Sequence, residues 1–453
     1  MNQFLACCTR SSILALAAFA LPCTLMAQTQ DEEVREKHSR LQIGGYGEAV
    51  YSRQFYSNDP TRYTNPGASK NKDAKEGHFD LPHVVVYLGY DFGKGWSVGS
   101  EIEFEHGGTG GAYEKEYFEA QEYEQETEKG GEVELEQFWI QKSIFPQLNI
   151  KAGHIVVPVG YTNAHHEPLN FFTVYRPEGE ATIFPCTWHQ TGLSVWGRHN
   201  FTEKFGIRYE AQILAGLNSQ SFSTENWIQG GHTSPFEFDP GSRLGGAARI
   251  DLYIPNGPRL GFSGYYGRSV NNGYNKVDGK DFQAKGTVLI GSFDASYEGY
   301  GLIARANFDY GHLGDAWEVN SIAQNQTGNT SPYSRSFVGD QAIAYGIEAG
   351  YDLFRFSPKL RRAKQQLYVF GRYEYYDSYR PASRTIEQNG VTVKQQQIDQ
   401  PWTERNRLAV GINYKPIKEI VIKAEFSKRF LKSQYNDEPA ISIGVAYAGF
   451  FTK

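Results

Sequence analysis

The stretch YTNAHHEPLNFFTVYRPEGE, residues 161–180, holds the side chains of this chain best suited to chemistry: His165, His166, Glu167, Arg176, Glu178 and Glu180. Two imidazoles beside a carboxylate could hold zinc, with His189 further on as another nitrogen donor. Adjacent histidines do not match H-E-x-x-H, whose i, i+4 spacing presents two imidazoles on one helix face, and no cysteine pair stands nearby. A serine nucleophile lacks the G-x-S-x-G turn that would expose it. The remaining use is electrostatic. Arg176, Glu178 and Glu180 would present charge on a loop stiffened by Pro168 and Pro177, while Phe171, Phe172 and Tyr175 pack it against a wall. Arg176 could equally pair with Glu178 or Glu180 and only pin the loop. The choice depends on the elements that carry the stretch.

The chain opens MNQFLACCTRSSILALAAFALPCTLMAQTQ, with Arg10 before an apolar run from Ile13 to Leu21 and Ala27 at a cleavage-like position. That run is too short to span a bilayer and reads as a secretory signal cut after Ala27, leaving 426 of 453 residues. A lipoprotein cut at Cys23 is disfavoured by Pro22 directly before it. Cys7, Cys8 and Cys23 would leave with the leader, so Cys186 remains as an ordinary loop thiol with no disulfide partner. Residues 28–40 are nearly all polar and read as a flexible lead-in.

Mean hydropathy is −0.53, and no stretch of about twenty apolar residues follows the leader. Yet 15% of residues are aromatic and 48 are glycine. Short strands with only alternate residues apolar reconcile these facts. In IVIKAEFSKRF, Ile420, Ile422, Ala424, Phe426 and Phe430 oppose Lys423, Glu425, Ser427 and Arg429. The segments LIARANFDY (302–310) and FGIRYEAQIL (205–214) alternate in the same way.

Connection lengths sort themselves too. Seven short turns fall near 91–95, 145–147, 200–204, 255–258, 298–301, 355–364 and 415–419. Eight long polar segments fall near 56–77, 107–131, 158–187, 218–242, 271–283, 312–337, 380–403 and 432–438. Such sorting is the pattern of an all-β transmembrane antiparallel β-barrel of about sixteen strands, with short periplasmic turns and long extracellular loops. The expectation is one barrel domain over 41–453, residues 158–187 forming its third loop, folded into the lumen.

A barrel of this width leaves a channel. Alternation predicts an acidic lumen sector of Glu101, Glu103, Glu105, Glu132, Glu134 and Glu136; between residues 101 and 136 there are 13 acids and two lysines. It also predicts a basic wall of Arg198, Arg208, Arg249, Arg305, Arg372, Arg405, Arg407, Lys423 and Arg429. The two create a transverse field that orients dipolar solutes. The alternative is that nearby Asp251, Asp294, Asp309, Glu374 and Glu425 neutralise those arginines. The acidic run EKEYFEAQEYEQETEK reads as a solvated loop face.

The strand LNIKAGHIVVPVG, with Gly153, Pro158 and Gly160, the long loop after it, and TWHQTGLSVWG, with Gly192 and Gly197, resemble the phosphate-selective porin O/P family of outer-membrane porins. The likeness implies a sixteen-stranded, usually trimeric porin narrowed by its third loop. Where relatives often carry an arginine before that last strand's first glycine, this chain has His189, and loss of Arg10 takes its formal charge from −6 to about −7. The expectation is passive diffusion of small hydrophilic solutes or ions through the outer membrane, possible phosphate or anion selectivity being what the resemblance adds. The expected partners are outer-membrane lipid and lipopolysaccharide, with no cofactor, no resident metal, no catalysis and no nucleic acid. The competing classes are an outer-membrane enzyme with a metal or acid–histidine site in the third loop, and a structural or adhesive barrel.

Overall fold

Ile422 and Phe426 are exposed, while Lys423 and Glu425 beside them are buried, so a charged face points inward and an apolar face outward. The same inversion of a soluble core recurs around the ring, with Ile213, Ile250, Leu289, Ile347, Val410 and Ile443 among the exposed apolar side chains. A computed structural model describes residues 40–452 apart from 58–60, 65–75, 110–129, 233–238, 240, 256, 273–281, 325–335, 389–390 and 433. The expected leader, all of the lead-in but residue 40, and the acidic run of the second loop lie outside the described residues.

Sixteen strands form one closed antiparallel barrel. They are β1 (Leu41–Gln54), β2 (Gly77–Asp80 and His83–Gly93, both paired with β1), β3 (Trp96–Glu105), β4 (Glu132–Phe145), β5 (Leu148–Val156), β6 (His189–Thr202), β7 (Phe205–Ala215) and β8 (Leu244–Tyr253). They continue as β9 (Arg259–Arg268), β10 (Thr287–Gly299), β11 (Leu302–Leu313), β12 (Gln341–Asp352), β13 (Gln366–Arg380), β14 (Glu404–Ile417), β15 (Ile420–Phe430) and β16 (Glu438–Phe450). The ring closes where β1 pairs β16 from Gly44↔Phe450 to Gln54↔Ala440. A separate hairpin, Ser383–Gln388 with Val391–Gln396, stands in the seventh long loop.

All seven expected turns and eight expected long loops fall where loop length places them. The tight turns have a local cause. Lys94 and Gly95 have φ of 53° and 77°, and Tyr300 and Gly301 have 53° and 82°. Two successive left-handed residues are what a two-residue hairpin turn needs, with glycine taking the second position without strain.

Two features depart from simple alternation. In β4 the register against β3 jumps from Glu101↔Gln137 to Ile102↔Leu135, so Glu136 is an extra, bulged residue. Outward positions then switch from Val133 and Leu135 to Phe138 and Ile140, all four exposed. The second departure is an apolar core inside the ring. Inward residues of the wall, among them Tyr265, Ile290 and Ala344, pack with Phe184 and Trp188 of the third loop and with Phe222, Trp227 and Ile228 of the fourth. The interior is therefore polar only in part.

Candidate functional site

Residues 157–188 carry two short helices, Tyr161–Ala164 and Glu178–Ile183. Their hydrogen bonds reach β8 and, nearly half the ring away, the run of strands from β14 through β16 and β1 to β4. Within that run the Tyr87 hydroxyl of β2 donates to Glu167 at 3.0 Å, Arg176 donates to the Tyr46 hydroxyl of β1 at 3.0 Å, and the Thr187 hydroxyl donates to Glu136 of β4. In the same run, Lys423 of β15 donates to the carbonyls of Phe171 (3.1 Å) and Thr173 (2.8 Å). Asn413 of β14 donates to the Phe172 carbonyl at 3.0 Å, and the Val174 amide donates to Glu425 at 2.8 Å. Arg249 of β8 donates to the Gly160 carbonyl at 2.9 Å.

The six loop residues singled out by sequence do not converge. The His165 ring stacks on Tyr161 with centroids 4.6 Å apart and bonds its carbonyl at 3.0 Å. His166 turns instead toward Glu101 of β3, 3.7 Å away, and Glu167 toward Tyr87. A zinc site built from the three adjacent residues is therefore not what the fold makes. Arg176 pairs with neither Glu178 nor Glu180; its nearest carboxylate is Glu103, at 3.9 Å. Glu178 is held by Arg429 at 2.6 Å, Arg407 at 3.0 Å and the Tyr376 hydroxyl at 2.8 Å. Burial works against its charge, but the two arginines outweigh it and keep the carboxyl well below its usual range. Glu180 is 1% exposed and accepts the amides of Tyr161 (3.0 Å) and Asn163 (2.9 Å), so it caps backbone and presents no charge to solvent. Burial pushes the Cys186 thiol up to about 12, in keeping with an inert thiol.

The basic wall is largely matched by acids. Arg249 meets Asp251 at 2.9 Å and Asp294 at 2.8 Å, with Arg259, not singled out from sequence, on the same two carboxylates. Arg305 pairs with Glu348; Arg372 reaches Glu348 at 3.3 Å and Glu374 at 3.0 Å; Arg407 also meets Glu374 and Glu425. Arg429 meets Glu438 at 2.9 Å as well as Glu178. Arg405 donates to the Tyr63 hydroxyl at 3.1 Å, Arg208 lies over the Trp196 ring at 5.5 Å, and Arg198 is exposed. Pairing, more than a free basic field, describes this wall.

The acidic sector differs. Glu103 bonds His83 at 2.8 Å, with Glu105 3.7 Å from the same ring, and Glu134 is 3.7 Å from His189. Glu101 and Glu136 are buried and Glu132 is exposed. Among the described residues, Arg176 is the one arginine or lysine in ion-pair range of these six glutamates. Alternation gave no sign of the neighbouring histidine cluster. His189 bonds His154 at 2.6 Å and faces the His232 ring at 5.9 Å; these three lie 35 and 43 residues apart along the chain, with no motif spacing to mark them.

No protein-family model matches the chain. An uncharacterised protein of Aquifex aeolicus (strain VF5) is 25% identical over 404 residues, which are 88% of this chain and 78% of that protein. Among solved structures, OprB of Pseudomonas putida is similar at 11% identity, covering 92% of this chain and 96% of that one, with a TM-score of 0.47. An anion-selective porin from Comamonas acidovorans is similar at 10% identity over 90% and 99%, with a TM-score of 0.46. The outer-membrane channel DcaP of Acinetobacter baumannii is similar at 11% identity over 90% and 97%, with a TM-score of 0.43. Likenesses this distant transfer no residue roles, and the resemblance to phosphate-selective porins stays one of motifs.

Proposed function

We propose that this chain is an outer-membrane porin, passing small hydrophilic solutes or ions down their gradient, with the third loop as its constriction and a preference for cations. The observation that carries the reading is the inverted barrel: sixteen strands closed on themselves, exposed apolar side chains outside and buried charges within. Lipid is the solvent such an outer face suits, and a ring this wide leaves space beside the loop that crosses it. Ties from the third loop to β8 and, seven of sixteen strands round the ring, to β15 support its place across the lumen. Loop polar groups are tolerated there because wall side chains bond them, as Lys423, Asn413 and Arg249 do.

The charge preference rests on pairing. Arg249, Arg305, Arg372, Arg407 and Arg429 of the basic wall are paired with carboxylates, whereas Glu105, Glu132 and Glu134 have no arginine or lysine partner among the described residues. A ring sector of uncompensated carboxylates favours cations. The anion or phosphate preference implied by the family resemblance is the second reading. No bond chemistry is proposed, since His165, His166 and Glu167 turn to three separate partners. The resemblance also motivates a trimer, to be tested by light scattering of the detergent-folded protein.

The deciding experiment is single-channel recording in a planar bilayer under a KCl gradient. Discrete conductance steps with a reversal potential of cation-selective sign are expected. A correctly folded barrel that conducts nothing overturns the porin reading, and an anion-selective sign overturns the charge preference alone.

A further inference from the structure

We infer that Glu101, Glu136 and His166 form a binding site for a divalent transition-metal cation of the zinc type, joining the third loop to strands β3 and β4. One atom from each lies within 4.8 Å of the others, and His166 Nε2 is 3.7 Å from Glu101 Oε1. Metal bonds of about 2.0–2.2 Å close such a triangle with shifts of a few tenths of an ångström.

Three independent features aim these atoms at a common point. Glu101, Glu136 and His166 are 4%, 1% and 8% exposed, and Glu101 Oε1, Glu136 Oε2 and His166 Nε2 are buried with no hydrogen-bond partner. Buried polar atoms left unpaired are costly, so three meeting at one place call for a ligand. The second oxygen of each carboxylate is occupied: the Gln137 amide donates to Glu101 Oε2, and the Thr187 hydroxyl donates to Glu136 Oε1. The bulge in β4 is the third feature. Glu136 is the extra residue, and without the bulge the period of two would not keep it and Gln137 both facing Glu101.

His166 is set up as a ligand. Its Nδ1 lies 3.0 Å from the Asn163 carbonyl, which can only accept, so Nδ1 carries a proton and Nε2 is the nitrogen turned to the carboxylates. Asn163 is itself fixed, donating to the Val157 carbonyl at 2.6 Å and accepting the Trp188 amide at 2.6 Å. Two carboxylate oxygens converging on Nε2 repel one another unless a positive charge lies among them, and a bound cation supplies it while satisfying all three atoms. Arg176, the nearest guanidinium, is engaged with the Tyr46 hydroxyl and lies toward Glu103. One imidazole with two carboxylates suits zinc, cobalt or manganese. Calcium and magnesium take oxygen donors in greater number. The neighbouring set His83, Glu103 and Glu105 is weaker, because His83 and Glu103 already satisfy each other at 2.8 Å.

The test uses the full chain folded in detergent, stripped with chelator and titrated with Zn²⁺ alone by calorimetry, with Co²⁺ absorption as a ligand-field probe. Binding of one Zn²⁺ per chain is expected, weakened about tenfold or more in both Glu136→Gln on the strand and His166→Ala on the loop. Glu132→Gln, an exposed acid on the same strand, should bind as the unaltered chain does. Absence of stoichiometric Zn²⁺ binding by the unaltered chain overturns the site, whatever the variants do. So does binding that both substitutions leave unchanged. None of these readouts depends on conductance, so failure here and failure of the pore reading are separable.

Discussion

Glu178 and Arg429, 251 positions apart in the chain, meet at 2.6 Å. Arg407 reaches the same carboxylate at 3.0 Å, so one glutamate of the third loop fixes two strands of the far wall. Removing the charge should loosen the loop without dissolving the barrel. Glu178→Gln is expected to weaken loop docking by about 1.5–3 kcal/mol, the usual range for a hydrogen bond to a charged group. Larger unit conductance with more open-channel noise would be the signature; traces matching the unaltered chain would show that this tie is dispensable.

Acid should loosen the same loop. Burial, reinforced by the Arg259 charge, lowers docked His165 to about 3, against about 6.5 for a free imidazole. Between those values the released loop binds a proton that the docked loop does not, so docking weakens as pH falls through that window. Glu178 acts in the same direction lower down: its contribution is complete above its ordinary value of 4.5 and is lost as pH falls below it. Hydrogen exchange of residues 161–183 should lose protection below about pH 6, by no more than about tenfold per unit from one proton. His165→Phe should flatten the profile between about pH 5 and 7; a flat profile in the unaltered chain would contradict the linkage.

The acidic sector carries a separate expectation. About a third of the Glu105 and Glu134 side chains is open, and Glu132 is exposed. Replacing all three with glutamine removes charge without breaking a pair to arginine or lysine, and glutamine can still bond His83 and His189, so the barrel should still fold. The reversal potential under a KCl gradient should move toward the anion side, and an unmoved potential would place the selectivity elsewhere.

Trp227 of the fourth loop tests the apolar core within the ring. It is fully buried, donates from Nε1 to the Gly339 carbonyl at 3.0 Å, and packs so closely on Gly311 that a Cβ there would sit 2.0 Å from its ring. Trp227→Ala should cost about 3–5 kcal/mol, read as a lower melting temperature. Gly311→Val should also destabilise, by overpacking. A melting temperature unchanged in both would mean that the fourth loop contributes little to the fold.

Much of the ring was legible in the chain. Period-two alternation and the sorting of loop lengths specify strand number, turn positions and the face of Lys423, Glu425 or Arg305, because both are local properties. The bulge at Glu136 was not: a one-residue slip leaves only the switch from Val133 and Leu135 to Phe138 and Ile140 as its trace. Phe222, Trp227 and Ile228 gave a signal in retrospect, since large apolar residues in a long loop need somewhere to be buried. The ties of Glu178 to Arg407 and Arg429, and of Lys423 to the loop carbonyls, could not be read. Charges hundreds of residues apart carry no pairing rule until the sheet closes and sets their distance.

The third loop also bears on the mechanics of the barrel. A cylinder of hydrogen-bonded strands resists stretching along its circumference far better than it resists being squeezed into an ellipse. Residues 160–178 are fastened to Arg249 of β8 at one end and to Lys423, Asn413 and Arg429 of β14 and β15 at the other. The segment thus works as a tie rod across the diameter. Lateral pressure from surrounding lipid would then be borne partly by a handful of side-chain contacts, so the cross-section, and with it the open area, is set by the loop as much as by the number of strands.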